Sequence, residues 1–188
     1  MKGAKRSGLR TSRRGIKDMF YIGKFPEGEA GSRRIGNRVE GVIMSEKVEA
    51  AVACFREGFS CSQAILSTYG DDFGLPRETA LRAAAALGAG MGRLGEVCGA
   101  VAGALIVIGL KHGHTEATDK ETKEKNYALV RDFADRFRAR NGALCCRELL
   151  GCDLATAEGM ETAKQKGLFT ERCPRFVRDA AEALEEVL

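Results

Sequence analysis

Helix signals follow one another along residues 44–188, and no segment alternates between apolar and polar positions in the way that marks a strand. Capping residues, glycines and polar turns separate several apolar segments that are long enough to be helices. This pattern predicts an all-α fold, a compact bundle of about seven helices.

The first two predicted helices have well-defined starts. Ser45 is placed to cap a helix that runs to about Glu57. Ser60 and Gln63 have the spacing of a capping box, which predicts a second helix over Cys61–Tyr69.

The later helices follow from similar signals. Pro76 stands at the first position of a third predicted helix, and Gly88 follows its end. A glycine-rich loop is predicted next, up to Gly95. Further helices are predicted at about Glu96–Lys111, from Thr118 or Asp119 to about Arg140, and at Cys146–Leu150, Ala157–Lys166 and Pro174–Val187. The apolar stripe that we expect to face the core in the longest helix consists of Tyr127, Val130, Ala134 and Phe137.

The helix predicted after Gly95 contains glycines, each of which costs roughly 1 kcal/mol relative to alanine. Gly95, Gly99 and Gly103 recur every four residues and predict a smooth face that another helix or a cofactor can approach. We assign Gly99 to a functional site, because a side chain there would crowd the neighbouring Cys98. We expect Gly103 and Gly109 to serve close helix packing.

The net charge of +4 is unevenly distributed along the chain. Residues 1–43 contain 11 Lys and Arg against 4 Asp and Glu, whereas residues 44–188 contain 19 against 22. We therefore predict no nucleic-acid binding by the main body. The leader, residues 1–43, is polar and Gly-rich without a regular period, so we expect it to be disordered. We interpret it as an upstream mis-start with Met44 as the natural start; the alternative is a basic arm that binds a partner.

No membrane-spanning segment is predicted. The uncharged run Val97–Leu110 has 14 residues, whereas a bilayer requires about 20. Arg13 and Arg14 resemble a twin-arginine export signal only faintly, since no apolar stretch follows them. We expect a cytoplasmic protein that does not insert into a membrane.

The chain has seven cysteines, an odd number that argues against a disulfide framework. It contains no C-x-x-C pair and no haem-attachment motif. Four cysteines fall at predicted helix starts, where free N–H groups and the helix dipole favour a thiolate by less than one pKa unit. They are Cys61, Cys98, Cys146 and Cys173.

The remaining candidates have simpler interpretations. Cys54, Cys145 and Cys152 are expected to be small buried apolar residues, although Cys145 competes with its neighbour Cys146 as a ligand. Cys54 also has the alternative role of a resolving thiol. His112 and His114 end a predicted helix, where we expect a solvated turn rather than a metal site.

The order and spacing of four segments resemble the C_GCAxxG_C_C family of redox-active proteins. These segments are "GFSCSQAIL", "GAGMGRLGEVCGAVAGALIVIGL", "CCRELLGCDL" and "RCPRFVRDAAEAL". The resemblance implies that the family's four cysteines correspond to Cys61, Cys98, Cys146 and Cys173. Its CGAxxG element corresponds to Cys98, Gly99, Ala100 and Gly103. The family is similar to the non-haem part of split-Soret cytochromes, where an iron–sulfur cluster is expected; this chain lacks the haem motif, so we expect no haem.

Three functions remain open from the sequence. In the first, the four cysteines, with Gly99 beside them, hold an iron–sulfur cluster of the [2Fe–2S] type for electron transfer or redox sensing. In the second, the cysteines form redox-switching disulfides without a metal. In the third, they bind a structural Zn²⁺ in an interaction module. The sequence identifies no electron partner and no catalytic acid or base, and the glycine face leaves a homodimer open.

Overall fold

The computed structural model describes residues 45–188. The predicted disordered leader, residues 1–43, and the proposed start at Met44 lie outside these residues. Helices separated by short loops and turns make up the described part, and it contains no named strand, which confirms the all-α prediction. The helical segments are α1 (Glu46–Arg56), α2 (Cys61–Tyr69), α3 (Arg77–Ala84), α4 (Gly88–Met91), α5 (Gly99–His112), α6 (Lys120–Asn141), α7 (Cys146–Leu150), α8 (Ala157–Gln165), α9 (Leu168–Glu171) and α10 (Cys173–Glu185).

The number of segments in residues 45–188 exceeds the expected seven because some are single turns. The segment α9 has four residues and precedes α10 directly. The segment α4 also has four residues, and the left-handed backbone of its Ala89 and Gly90 makes it a tight loop rather than a regular helix.

The predicted caps at the helix starts are present. Ser45 accepts a hydrogen bond from the N–H of Lys47. Ser60 and Gln63 form the predicted capping box of α2. Of the two candidate caps for the longest helix, Asp119 fills the role, because its side chain accepts a hydrogen bond from the N–H of Thr122.

The helix α2 lies at the centre of the core. All its residues except Gln63 and Thr68 are buried. It packs most extensively against α5, and also against α1 and α3, while α10 crosses α1, α5 and α6. The starts of α2, α5 and α10 each carry a cysteine, so the packing of these helices determines where three sulfurs lie.

The stripe predicted on α6 is wrong at its N-terminal end. Tyr127 is 46% exposed, whereas Phe133, which the prediction missed, and Phe137 are fully buried. The helix buries no side chain before Phe133. Its fully buried side chains therefore lie in the C-terminal half, whereas Leu129 and the predicted Val130 pack against the core only partly buried. A helical period read along the whole segment does not reveal this difference.

The start predicted for α5 is also wrong. The helix begins at Gly99 rather than Glu96, and Cys98 is its N-cap residue. Gly95 therefore lies outside the helix, in a left-handed backbone conformation with φ of 74°. No helix within residues 45–188 has the length and apolar character needed to cross a membrane.

Candidate functional site

Four cysteines from four different helices line one cavity of about 700 Å³. They are the four singled out from the sequence: Cys61, Cys98, Cys146 and Cys173. Three of these side chains are buried, and that of Cys173 is partly buried. The structure therefore brings all four predicted site cysteines to a common space.

Each of the four sits at the start of a helix, as the sequence predicted. Cys61 is the first residue of α2, and Cys98 is the N-cap of α5. Cys146 is the first residue of α7, and Cys173 is the first residue of α10, where Pro174 follows it. The sulfurs thus lie where backbone N–H groups lack partners within their own helices.

Backbone pairing ties the segment before Cys98 to the segment before Cys146. The N–H of Cys98 donates to the carbonyl of Leu144 at 2.8 Å, and the N–H of Cys146 donates to the carbonyl of Glu96 at 2.6 Å. A bridge between Val97 and Cys145 lies between these two bonds. This pairing uses the backbone of residues 96–98 outside the helix, which explains why α5 starts later than predicted.

Arg147 strengthens the same connection with its side chain. Its guanidinium donates to the carbonyl of Leu94 at 2.7 Å and to the carboxylate of Glu96 at 2.7 Å. Its Nε donates to the carbonyl of Gly95 at 3.3 Å. The loop that leads to Cys98 is therefore fixed to α7, which begins with Cys146.

Two glycines give the sulfurs and their helices room to approach. A Cβ atom on Gly99 would lie 2.6 Å from Sγ of Cys61, closer than any tolerated contact. A Cβ atom on Gly90 would lie 2.7 Å from Cβ of Cys146. The assignment of Gly99 to the site thus has a steric basis in its contact with Cys61.

The other glycines of this region serve different purposes. A Cβ atom on Gly103 would meet the carbonyl of Ser62 at 2.8 Å, so Gly103 allows α5 to pack closely on α2. The prediction of close packing at Gly109 is wrong, since no atom of residues 45–188 lies within 4 Å of a Cβ atom there. Gly95 faces Arg147 rather than continuing the predicted smooth face.

Cys61 and Cys98 form a hydrogen-bonded sulfur pair. The thiol of Cys98 donates to the sulfur of Cys61, and this bond, with backbone N–H groups of Ala89, Ser62 and Ala100, lowers the pKa of Cys61 to about 6. The same bond and burial raise the pKa of Cys98 well above its ordinary value. The pair therefore favours a thiolate on Cys61 and a protonated thiol on Cys98.

The other two cysteines of the cavity are neutral thiols in the metal-free protein. Burial is the main cause that raises the pKa of Cys146 to about 12, and the charge of Cys61 adds to it. Cys173 has a pKa raised to about 12 for the same two reasons. A helix start favours a thiolate by less than one pKa unit, so burial outweighs it at both positions.

The remaining cysteines and both histidines lie outside the cavity lining. Cys145 does not line the cavity although its neighbour Cys146 does, which favours Cys146 as the site residue. Cys54 is buried beside Ser67 and away from the lining, and Cys152 is partly buried. His112 ends α5, where burial lowers its pKa, and His114 is exposed in the following loop.

Sequence reasoning did not single out Ala89, which shapes the site without carrying sulfur. Ala89 donates its N–H to Cys61 from a loop in which Ala89, Met91 and Arg93 all have positive φ. The only sequence signal for this loop is its glycine content. Strained non-glycine residues of this kind cluster at functional sites.

The four sulfurs are not arranged as a ready mononuclear metal site. Among residues 45–188, no group of three or more His, Cys, Asp or Glu side chains is positioned to hold a metal ion. All seven cysteines, each within these residues, are free thiols.

Comparison with known proteins gives one match. The sequence profile of the family described as "Putative redox-active protein (C_GCAxxG_C_C)" matches residues 59–187. The chain belongs to this family. No curated protein matches the chain, and no solved structure matches it either. The match of the C_GCAxxG_C_C family spans Cys61, Cys98, Cys146 and Cys173, and it supports a redox role for the protein.

Proposed function

We propose that this C_GCAxxG_C_C protein binds an iron–sulfur cluster of the [2Fe–2S] type and uses it to transfer or sense electrons. The observation that carries the proposal is that Cys61, Cys98, Cys146 and Cys173 line one cavity from four helix starts. Four thiolates are the usual ligand set of such a cluster, which carries one electron at a time at a potential set by its surroundings.

The residues present suit this ligand set. The missing Cβ of Gly99 leaves space next to Sγ of Cys61, where a side chain would collide with the sulfur. The raised pKa values of Cys146 and Cys173 are compatible with metal binding, because a metal ion deprotonates the thiols that coordinate it. A [2Fe–2S] cluster also divides four thiolates between two irons, so it does not require three of them around one ion.

The cellular setting and the partner belong to the same proposal. Seven unpaired cysteines suit a reducing compartment such as the cytoplasm. Electron transfer also requires a redox partner, which we place at the opening of the cysteine cavity.

A second function is favoured by the sulfur pair itself. The interaction between Cys61 and Cys98 lowers the pKa of Cys61 and raises that of Cys98, so it favours a thiolate on Cys61 next to a protonated Cys98. Oxidation of this pair to a disulfide would release two electrons and the remaining proton to an oxidised partner. In this alternative the protein is a thiol–disulfide redox protein without a metal.

Anaerobic purification of the full 188-residue chain tests both functions. Iron, sulfide and zinc are quantified in one sample. The visible absorption of that sample and its electron paramagnetic resonance spectrum after reduction are also recorded. We expect two irons and two sulfides per chain. Serine replacements of Cys61, Cys98, Cys146 and Cys173 should each remove them, whereas Cys54→Ser and Cys145→Ser should retain them.

The opposite result is equally informative. The disulfide couple would replace the cluster if the protein were colourless and free of iron, if oxidation removed two free thiols from it, and if oxidation removed none from Cys61→Ser or Cys98→Ser. Stoichiometric zinc in place of iron would contradict both functions.

A further inference from the structure

The cysteine cavity extends well beyond the sulfurs. Its volume of about 700 Å³ lies in the range of pockets that bind drug-sized molecules. Much of the remaining wall is apolar and aromatic, formed by Phe55, Leu149, Leu150, Met160, Phe169 and Phe176. A wall of this kind suits the apolar body of an organic molecule rather than a hydrated inorganic ion.

The charged side chains of the cavity have one sign. Arg93 and Lys164 line it, and no Asp or Glu of the described chain does. Both side chains belong to exposed residues, and neither forms a hydrogen bond or an ion pair with any of residues 45–188. Two cations that have no partner among residues 45–188, placed at an apolar cavity, are complementary to an anionic group of a ligand.

The two cations lie on the same side of the cavity. Lys164 follows Met160 by one helical turn on α8, so both side chains share one face of that helix. Arg93 and Met160 also line a neighbouring cleft together, which places Arg93 close to this face. Met160 is therefore a common neighbour of Arg93 and Lys164.

We propose that the cavity binds a small apolar molecule that carries one anionic group. Its apolar body contacts the phenylalanines and Met160, and its anionic group lies at Arg93 and Lys164. The binding site does not depend on the proposed function, but the role of the molecule as a redox substrate does, because the sulfurs line the same cavity.

A matched pair of fluorescent probes tests the charge preference on the full chain. The anion 8-anilinonaphthalene-1-sulfonate and the neutral N-phenyl-1-naphthylamine share one aromatic scaffold. We expect saturable one-to-one binding of both, with the anion bound more tightly. Arg93→Gln and Lys164→Gln should each weaken the anion about 1.5- to 5-fold and leave the neutral probe unchanged. Lys166→Gln, an exposed cation outside the lining, is the control.

A steric pair of variants locates the binding. Ala85 and Ala86 are both exposed, but only Ala85 lines the cavity. We expect Ala85→Phe to weaken both probes about tenfold and Ala86→Phe to leave them unchanged. Circular dichroism establishes that the variants fold. Non-saturable binding, equal affinity for the two probes, or equal effects of the paired variants would overturn the inference.

The same titration separates this inference from the proposed function. Cys98→Ser removes a cysteine of the redox centre and leaves Arg93, Lys164 and the aromatic wall in place. Retained anion-selective binding in this variant, or in a protein without a redox centre, supports the cavity as a ligand site. A redox-active protein that shows no selectivity for the anion contradicts the ligand site and leaves the redox function intact.

Discussion

The thiol of Cys98 donates a hydrogen bond to the sulfur of Cys61, although the two cysteines begin different helices. Backbone N–H groups of Ala89, Ser62 and Ala100 are directed at the same sulfur of Cys61. Negative charge is therefore concentrated on Cys61, while burial keeps Cys98 protonated. This asymmetry distinguishes the first pair of cavity cysteines from Cys146 and Cys173.

The asymmetry predicts a thiolate that titrates far below an ordinary cysteine. In the reduced, metal-free protein, ultraviolet absorption of the thiolate should appear with an apparent pKa of about 6. Cys98→Ala should shift that pKa upward by removing the donor, and Cys98→Ser should restore part of the shift through its hydroxyl. Cys54→Ala is the control that should change nothing. A first titration near pH 9 in the unaltered protein would contradict the proposed pair.

The same pKa shift predicts how stability depends on pH. Because the folded pKa of Cys61, about 6, lies below its ordinary value of 9.0, the thiolate stabilises the fold fully above pH 9. This contribution is lost as the pH falls from 9 towards 6, by up to about 1.4 kcal/mol per pH unit. Urea unfolding of the metal-free protein between pH 6.5 and 8.5 measures it. The free energy of unfolding should depend less steeply on pH in Cys61→Ser than in the unaltered protein. An equal pH dependence in the two proteins would refute the assignment.

Cys146 and Cys173 should act in the opposite direction. Their folded pKa values of about 12 exceed the ordinary value of 9.0, so the stability they contribute is complete below pH 9. It is lost as the pH rises from 9 towards 12. Replacing either cysteine by alanine should reduce the loss of stability above pH 9, as measured by urea unfolding. If the free energy of unfolding fell equally above pH 9 in the variants and in the unaltered protein, the prediction would be contradicted.

Local signals account for what the sequence predicted correctly. The capping box of Ser60 and Gln63 involves only neighbouring residues, and it places Cys61 at the start of α2. Asp119 caps α6 in the same way. The four cysteines at helix starts could therefore be selected from the sequence alone.

Contacts between distant segments account for the errors. The start of α5 is displaced because residues 95–98 bond to the segment before Cys146 instead of joining the helix. The thiolate of Cys61 depends on Cys98 and on the N–H of Ala89, neither of which is near it in the sequence. A helical period or a cysteine spacing contains no information on such contacts.

Two glycines of α5 provide a matched test of the steric argument. Gly99→Ala places a Cβ 2.6 Å from Sγ of Cys61 and 3.0 Å from the carbonyl of Leu87. We expect it to reduce the free energy of unfolding by about 1–3 kcal/mol and to shift the thiolate titration of Cys61. Gly109→Ala places a Cβ more than 4 Å from any neighbour in the described part of the chain, and it should stabilise the helix by up to about 1 kcal/mol. Urea unfolding of both variants checks this difference in sign, and destabilisation of equal size would show that the crowding at Cys61 is not the cause.

Arg147 provides a test of the connection between Cys98 and Cys146. Arg147→Gln removes the guanidinium bonds to the carbonyl of Leu94 and to the carboxylate of Glu96. We expect a loss of about 1 kcal/mol or more in urea unfolding, because charged hydrogen bonds to two groups of one loop are lost together.

The amide hydrogens of Cys98 and Cys146 should also exchange faster in Arg147→Gln, since their bonds to Leu144 and Glu96 belong to the pairing that Arg147 supports. Arg138→Gln is the matched control, because Arg138 makes an exposed ion pair with Asp135 within α6. This substitution should reduce the free energy of unfolding by less than about 0.5 kcal/mol. If the two variants had equal effects on stability and left both exchange rates unchanged, the position of Cys98 relative to Cys146 would be set by helix packing alone.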